Sequence, residues 1–449
     1  MAESHRTGQV RRYGNGSRMR VRWTHAVRLL GVVTVLLGCT GIAAAGVAQA
    51  SQLRTAAGSA WKIEPTPNQA GANINEFSAV SCTSKRACTA VGSHAASLSS
   101  PSFTLAERWN GTSWRIQPTI LPKGAASSTF TGVSCGSASA CTAVGGALHK
   151  ATGVGVNLAE AWNGRRWRVQ AIANPKGATD GELYAVFCTS PDACTAVGHY
   201  DNAAGRVLAV VERWNGTTWR IQAIPRPAKL TWLFGVSCSA ARACTAVGYQ
   251  NTGTGDAQPL AEAWNGTKWH VQAVPLPHGA PGGALSAVSC TSPSACTATG
   301  TNFGTTAPTL AERWNGKRWR VQPTPNPPNF GTSMGEVALH AVSCASATAC
   351  IASGGYTPGG QAEYFIEAWN GRDWRMVTAA HPADFTQGAL NGMSCALARC
   401  TAVGAWSGGA VPVATLAMAN WSRIEGNPAG AIWLQEAAIP PELARFTSA

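Results

Sequence analysis

Two kinds of side chain recur along the chain and could do chemistry, the glutamates and the cysteines. One glutamate stands two residues before a tryptophan in each of six places, namely Glu107, Glu160, Glu212, Glu262, Glu312 and Glu367. Carboxylates act as catalytic acids, bases or metal ligands when two or more of them converge on one substrate. Equivalent positions of a repeat lie around a ring and do not converge. We therefore interpret these glutamates as structural, each in a cross-strand hydrogen bond or ion pair.

The cysteines form a second regular pattern. There are 15, and Cys39 stands apart near the N-terminus. The others fall into seven close pairs, Cys82 and Cys88, Cys135 and Cys141, Cys188 and Cys194, Cys238 and Cys244, Cys290 and Cys296, Cys344 and Cys350, and Cys395 and Cys400. Zinc sites favour shorter spacings joined to a second pair or to histidines, and the nine histidines keep no such spacing. The pattern predicts seven local disulfides, no metal, and an exported protein.

No other catalytic set is legible in the sequence. The six aspartates are scattered, and no Ser-His-Asp set, phosphate-binding glycine loop or HExxH motif occurs. We therefore predict no cofactor, and the sequence favours a protein without enzymatic activity.

The N-terminal segment has the features of an export signal. A basic stretch ends at Arg28, an uncharged apolar run follows, and Ala48-Gln49-Ala50 fits a cleavage site. The sequence predicts a signal peptide over 1–50, a linker over 51–60 and a C-terminal tail over 441–449. Two alternatives stay open. The run is long enough to serve as an uncleaved membrane anchor, and Leu36-Leu37-Gly38-Cys39 is an imperfect lipobox that would tether a lipoprotein at Cys39.

Composition excludes several classes of protein. Charged residues make up only 12% of the 449 residues, which argues against a disordered charged protein, a coiled coil and a helix-rich enzyme. The net charge is +14, and the 399 residues after position 50 carry +8 of it. A charge that small and that dispersed does not predict nucleic-acid binding.

The cysteine pairs also mark a repeat of about 50 residues, and Trp-Asn-Gly-x-x-Trp recurs with the same period at 109, 162, 214, 264, 314 and 369. A repeat of this length with several short strands is typical of propeller blades. The first repeat predicts strands near 77–82, 89–92, 105–109 and 114–117, with Trp109 and Trp114 packed against the next blade. We therefore predict an all-β, seven-bladed β-propeller over 61–440, with four-stranded antiparallel blades, one disulfide hairpin per blade, and a preceding signal or anchor helix.

Closure of the ring offers two candidate strands. The segments that begin at Trp61 and at Trp433 both resemble the outer strand of a blade. We favour Trp61, because propellers usually lock the ring by joining both termini within one blade.

These motifs carry a resemblance to known repeats. The Trp-Asn-Gly-x-x-Trp hairpin resembles the Asp-box hairpin of bacterial neuraminidase (BNR) repeats, with tryptophan in place of the aspartate. The phrase around Ala79-Val80-Ser81-Cys82 and Cys88-Thr89-Ala90-Val91-Gly92 is similar to blades of photosystem II assembly factor-like propellers. The combined repeat also resembles secreted actinobacterial repeat proteins. The resemblance implies blade architecture and no particular activity.

A ligand site is expected on the loops that vary between repeats. Aromatic side chains follow the conserved glycine of the second strand or lie in a neighbouring loop, and we predict ligand binding by His199, Tyr200, Trp232, Tyr249, Phe303, Tyr356 and Trp406. Such a rim can stack on sugar rings or anchor a protein, or it can simply cover the blade edges. The sequence thus predicts a monomeric, secreted or cell-surface binding or scaffold protein for an envelope glycan or protein, which touches the membrane only through its N-terminal segment. The alternative is a sialidase-like hydrolase or a lyase with its site over the central channel.

Overall fold

The computed structural model describes residues 61–225, 228, 230–251, 257–303, 308–327, 337–396, 399–409 and 411–420. The segments predicted as leader, linker and C-terminal tail lie outside the described residues, as does the strand expected at Trp433. Within the described part the chain is all β, apart from a single 3-10 turn at Pro358–Gly360. No helix in that part is long and apolar enough to cross a membrane.

The first six sequence repeats supply four strands each and the last supplies three, numbered here in chain order. The first strands are β2 (Ile74–Ser84), β6 (Ala125–Ser137), β10 (Ala178–Ser190), β14 (Leu230–Ala240), β18 (Gly282–Ser292), β22 (Ala338–Ser346) and β26 (Gln387–Ala396). The second strands are β3 (Ala87–Ala95), β7 (Ala140–His149), β11 (Ala193–Asn202), β15 (Ala243–Asn251), β19 (Ala295–Phe303), β23 (Ala349–Tyr356) and β27 (Arg399–Gly408).

The outer two strands complete each repeat. The third strands are β4 (Phe103–Trp109), β8 (Gly155–Trp162), β12 (Val207–Trp214), β16 (Gln258–Trp264), β20 (Thr309–Trp314), β24 (Glu363–Trp369) and β28 (Val411–Asn420). The fourth strands are β5 (Trp114–Ile116), β9 (Trp167–Val169), β13 (Trp219–Ile221), β17 (Trp269–Gln272), β21 (Trp319–Gln322) and β25 (Trp374–Val377), and β1 (Trp61–Glu64) takes this place in the last repeat.

The prediction of seven separate four-stranded blades is wrong. The described strands form six sheets, five with four strands and one with eight. The eight-stranded sheet arises because the first and last repeats are hydrogen-bonded to each other, through a parallel pairing of Ile74 with Val413. The amide of Val413 donates to the carbonyl of Asn73 at 3.1 Å. The predicted leading helix lies outside the described residues, and among these no α-helix occurs.

The choice of Trp61 as the closing strand is confirmed. Strand β1 pairs antiparallel with β28, with Trp61 opposite Asn420 and Glu64 opposite Ala417. The residues from the two ends of the described chain thus meet within one sheet.

The first strands stand side by side around the ring, and β26 returns against β2. A serine one residue before the first cysteine links most neighbours, because its hydroxyl accepts the amide N–H of the next repeat's first cysteine. Ser81, for example, accepts from Cys135 at 3.0 Å. Six junctions have this bond. At the junction of repeats 3 and 4 the serine is replaced by Phe187, which packs into the core instead.

All seven predicted disulfides are present, and they close the hairpins between first and second strands. In each hairpin the two cysteines stand directly opposite each other, as Cys82 does with Cys88. These loops and the Trp-Asn-Gly turns share one end of the sheets, which we call the disulfide end. The loops after the second and fourth strands lie at the other end, which we call the variable end.

The Trp-Asn-Gly turns have four-residue loops. Trp109 pairs with Trp114, and the Oδ1 atom of Asn110 accepts the amides of Thr112 and Ser113, both at 2.9 Å. Gly111 has φ = 101°, which favours glycine there.

The two tryptophans do not face the next repeat as predicted. Trp109 and Trp114 pack with Phe77 against Val403 and Ala417, which belong to the preceding repeat around the ring. The reason is the alternation of side chains along each strand. Trp109, Leu105 and Phe77 share one face of the sheet, and that face meets the preceding repeat.

Candidate functional site

Three of the predicted ligand residues lie in one cluster with two aromatic residues that the sequence analysis did not identify. His199 stacks on Tyr184 with ring centroids 5.4 Å apart, and Tyr184 meets Phe234 at 5.3 Å. Tyr249 meets Phe234 at 5.7 Å and stacks on Trp232 at 4.6 Å. We call these five side chains the aromatic row. It crosses the junction between repeats 3 and 4, where the serine link is missing.

A β-bulge places the middle of the row. The register between first and second strands shifts around Tyr184 and around Phe234, so each of them is the extra residue of a bulge. A bulge turns the extra side chain away from the regular alternation. The bulge also brings the carbonyl of Glu182 to the second strand, where a Cβ on Gly198 would lie 2.0 Å from that oxygen. Only glycine fits at this position.

Three side chains of the row are buried, and the other two are partly accessible. Tyr184, His199 and Trp232 are only 2%, 8% and 4% exposed. The hydroxyl of Tyr184 and Nδ1 of His199 share a hydrogen bond of 2.9 Å. Phe234 and Tyr249 are half-buried, and burial raises the pKa of the Tyr249 hydroxyl, so it stays a neutral donor. Phe234 and Tyr249 are therefore the members of the row that a ligand could reach.

The other four predicted residues belong elsewhere. Tyr200 is 7% exposed and packs into a core with Leu183. Tyr356 donates to Glu363 at 2.8 Å, and burial and this carboxylate raise its pKa. Trp406 packs against the core of the last repeat. Phe303 is half-buried at the end of β19. The structure thus distributes the predicted rim over several separate places.

A sequence signal for Tyr184 and Phe234 existed in the repeat itself. Four residues before the first cysteine, in the bulge, the seven repeats carry Ser78, Thr131, Tyr184, Phe234, Ser286, His340 and Asn391. The neighbouring positions are nearly constant. Some of these side chains link neighbouring repeats, since Thr131 donates a hydrogen bond to the carbonyl of Leu183 and Asn391 donates one to the carbonyl of Phe77. A position that varies inside a constant frame marks the place where the repeats differ in chemistry.

The six repeated glutamates are all 0% exposed and cannot touch a substrate. Burial raises the pKa of Glu107, Glu262, Glu312 and Glu367 to about 8 and that of Glu160 and Glu212 to about 7. The predicted cross-strand ion pair is wrong, because no described cation lies within salt-bridge distance of these carboxyls. Glu212 instead accepts a bond of 2.9 Å from the side chain of Asn157, in the preceding repeat.

The difference between the two groups of glutamates is caused by hydrogen bonding. The side chain of Asn157 and then the amide of Ala173 lower the pKa of Glu212, and the amide of Ile120 lowers that of Glu160. For the other four glutamates, the equivalent position of the preceding repeat is a proline, namely Pro67, Pro225, Pro275 and Pro325. Proline has no N–H to donate, so these carboxyls are held in the neutral form at pH 7.

Among the described residues, no group of three or more His, Cys, Asp or Glu side chains could hold a metal ion.

The fold places the chain among the β-propellers. No protein-family model and no curated protein sequence matches the chain. Among solved structures, YCF48 bound to a D1 peptide matches 83% of this chain and 99% of its own, with a TM-score of 0.50 and 11% identity.

Two further structures overlap less well. A protein of unknown function from Dyadobacter fermentans DSM 18053 matches 81% of this chain and 98% of its own (TM-score 0.46, 10% identity). The SapL1 lectin in complex with alpha methyl fucoside matches 70% of this chain and 98% of its own (TM-score 0.43, 12% identity). The repeat β-propeller is thus confirmed as a fold, while these likenesses do not bear on an Asp-box type or an actinobacterial source.

Proposed function

We propose that this protein is an exported, non-enzymatic β-propeller that binds a glycan or a protein segment at the cell envelope. The observation that carries the proposal is the aromatic row at the junction of repeats 3 and 4. Aromatic faces stack on sugar rings and on apolar side chains. Phe234 and Tyr249 offer such faces at a junction that differs from the others in two ways. The bulge positions on both sides of it carry aromatic residues, and Phe187 replaces the linking serine.

The chemistry of the remaining groups favours binding over catalysis. Two carboxyl groups working as acid and base need access to one substrate, and the repeated glutamates are sealed between sheets. The seven disulfides support an oxidising, extracytoplasmic location. Attachment at the cell surface, through an uncleaved leader or a lipid at Cys39, and a monomeric state are part of the same proposal. In the solved structures with a related fold, YCF48 is bound to a peptide and SapL1 to a fucoside, so both ligand classes enter the test.

The experiment is a binding screen of the exported chain against a glycan array and a peptide array, followed by titration of each hit. We expect the double variant Phe234→Ala/Tyr249→Ala to weaken a hit at least tenfold. The control is Tyr356→Phe, which removes a hydroxyl from a side chain outside the row. Equal affinity of the double variant and the wild type would contradict the proposal.

A further inference from the structure

Arginine side chains of one repeat cover tryptophans of the next at four junctions of the ring. Arg108 lies over Trp162 with its guanidinium carbon 4.7 Å from the ring centroid, and Arg213 lies over Trp264 at 4.8 Å. The other two pairs are Arg313 over Trp369 at 5.0 Å and Arg399 over Trp109 at 4.9 Å. A guanidinium at this distance from an indole face is attracted by the ring's negative face.

A backbone carbonyl completes this arrangement. The guanidinium of Arg213 donates to the carbonyl of Ala241 at 2.7 Å, and that of Arg399 donates to the carbonyl of Lys85 at 2.5 Å. Arg108 makes the same bond to Ala138. In each case the acceptor is the third residue after the first cysteine of the next repeat. The fold therefore builds the same guanidinium site repeatedly from an indole face and one carbonyl.

The junctions of repeats 2 and 3 and of repeats 4 and 5 have no arginine at this place. Ala161 and Ala263 stand where Arg213 stands in repeat 3, with the same pairing across the sheet. At the junction of repeats 4 and 5 a cavity of about 320 Å³ opens at the disulfide end, lined by Ala263, Trp314 and Pro293 among others. Trp314 is half-buried, as is Trp264 under Arg213, whereas the covered Trp109, Trp162 and Trp369 are 6%, 6% and 4% exposed.

The remaining parts of the site are in place in this cavity. Pro293 is the third residue after Cys290, and its carbonyl accepts the indole N–H of Trp314 at 3.2 Å. The carbonyl of Lys85 accepts the indole N–H of Trp109 at 3.4 Å and still accepts Arg399. A carbonyl oxygen has two lone pairs, so the Pro293 carbonyl can take a guanidinium in the same way.

We propose that the cavity between Ala263 and Trp314 binds the arginine side chain of a protein partner, supplied from outside in place of the arginine that this junction lacks. The site lies at the junction of repeats 4 and 5, whereas the aromatic row crosses the junction of repeats 3 and 4, so the site is separate from the one proposed above. Arg242 also lines the cavity. The residue equivalent to Arg242 in repeat 1 is Arg86. Repeat 1 has Arg86 and also places the guanidinium of Arg108 over Trp162, so an arginine at this position is compatible with a guanidinium on the neighbouring indole.

The test uses the exported chain and a pentapeptide probe, Gly-Gly-Arg-Gly-Gly with blocked ends, against the same peptide with citrulline. Citrulline keeps the planar shape and loses the charge. Binding is followed by the indole N–H resonance of Trp314, which Trp314→Phe assigns. We expect saturable shifts with the arginine peptide and at least tenfold weaker binding of the citrulline peptide.

Two variants separate this site from general attraction of a cation. Ala263→Arg supplies the missing guanidinium within the chain and should abolish the shifts, while Ala161→Arg, the same change at the junction of repeats 2 and 3, should preserve them. Arg213→Ala should create a second cavity, so that the indole resonance of Trp264 responds to the arginine peptide as well. The proposal is overturned if the arginine and citrulline peptides bind equally, if neither binds, or if Ala263→Arg leaves the shifts unchanged.

Discussion

The carboxylate of Glu64 and the guanidinium of Arg399 lie 2.5 Å apart, and the two side chains are 5% and 4% exposed. The pair joins the first described strand to the last repeat. Glu64 also accepts the indole N–H of Trp114 at 3.0 Å, and Arg399 covers Trp109. One ion pair therefore connects the closing strand, the last repeat and the first repeat, at the place where the ring is sealed.

Removal of one partner from this pair should destabilise the whole ring. Arg399→Ala leaves the Glu64 carboxylate buried without a cation, which typically costs about 3–5 kcal/mol. We expect a loss of that size in the free energy of unfolding, measured by urea denaturation. Arg372→Ala is the control, since Arg372 meets Asp373 at 3.8 Å on the surface with 90% of its side chain exposed. A loss below 1 kcal/mol for Arg399→Ala would show that closure does not depend on this pair.

Stability should fall as the pH rises, because the buried glutamates must stay protonated. The pKa of Glu262 rises from 4.5 to about 8 on folding, so the folded state holds more protons than the unfolded state between these values. The contribution of Glu262 to the free energy of unfolding is complete below pH 4.5 and is lost as the pH rises through 8, at about 1.4 kcal/mol per pH unit.

Glu262→Gln should remove this part of the pH dependence. Denaturation midpoints measured at half-unit steps from pH 5 to pH 9 should show a shallower decline than in the wild type. Glu160→Gln is the matched comparison, and its effect should end about one pH unit lower, because the pKa of Glu160 is about 7. An unchanged slope in Glu262→Gln would mean that this carboxyl ionises without cost.

The serine links between first strands should each contribute measurably. Ser81→Ala leaves the amide of Cys135 without its acceptor, which costs about 1 kcal/mol. Thermal unfolding should show this loss, while Ser99→Ala, at an exposed loop position, should stay within about 0.5 kcal/mol of the wild type. Equal stability of the two variants would show that these hydrogen bonds form as a result of the ring geometry and do not stabilise it.

Each disulfide closes a short loop, and its removal should have a moderate effect. In the chain-entropy model a loop of this size gains about 2 kcal/mol from its crosslink. Cys188→Ser/Cys194→Ser should lose about that amount and keep the fold, because the hairpin is also held by strand pairing from Ala178 to Ser190. Circular dichroism and urea denaturation measure both properties. Complete unfolding of this variant would indicate that one disulfide determines the register of its whole repeat.

The sequence predicts the strands, the disulfides and the closing role of Trp61 because these depend on a pattern repeated seven times. It misplaces two features that depend on contacts between repeats. The face on which Trp109 packs is set by the neighbouring sheet, and the pairing of Ile74 with Val413 arises only when the ring closes. The sequence did not reveal the aromatic row for the same reason. Tyr184 and Phe234 are 50 residues apart in the chain and meet only across a junction.

Ligand binding at Phe234 and Tyr249 is tested most directly by hydroxyl-radical footprinting of the exported chain, with and without the glycan or peptide that the array identifies. We expect labelling of Phe234 and Tyr249 to fall at least threefold in the complex, while Tyr356 and Trp314 are labelled as before. Protection confined to other residues, with Phe234 and Tyr249 labelled equally in both samples, would contradict it.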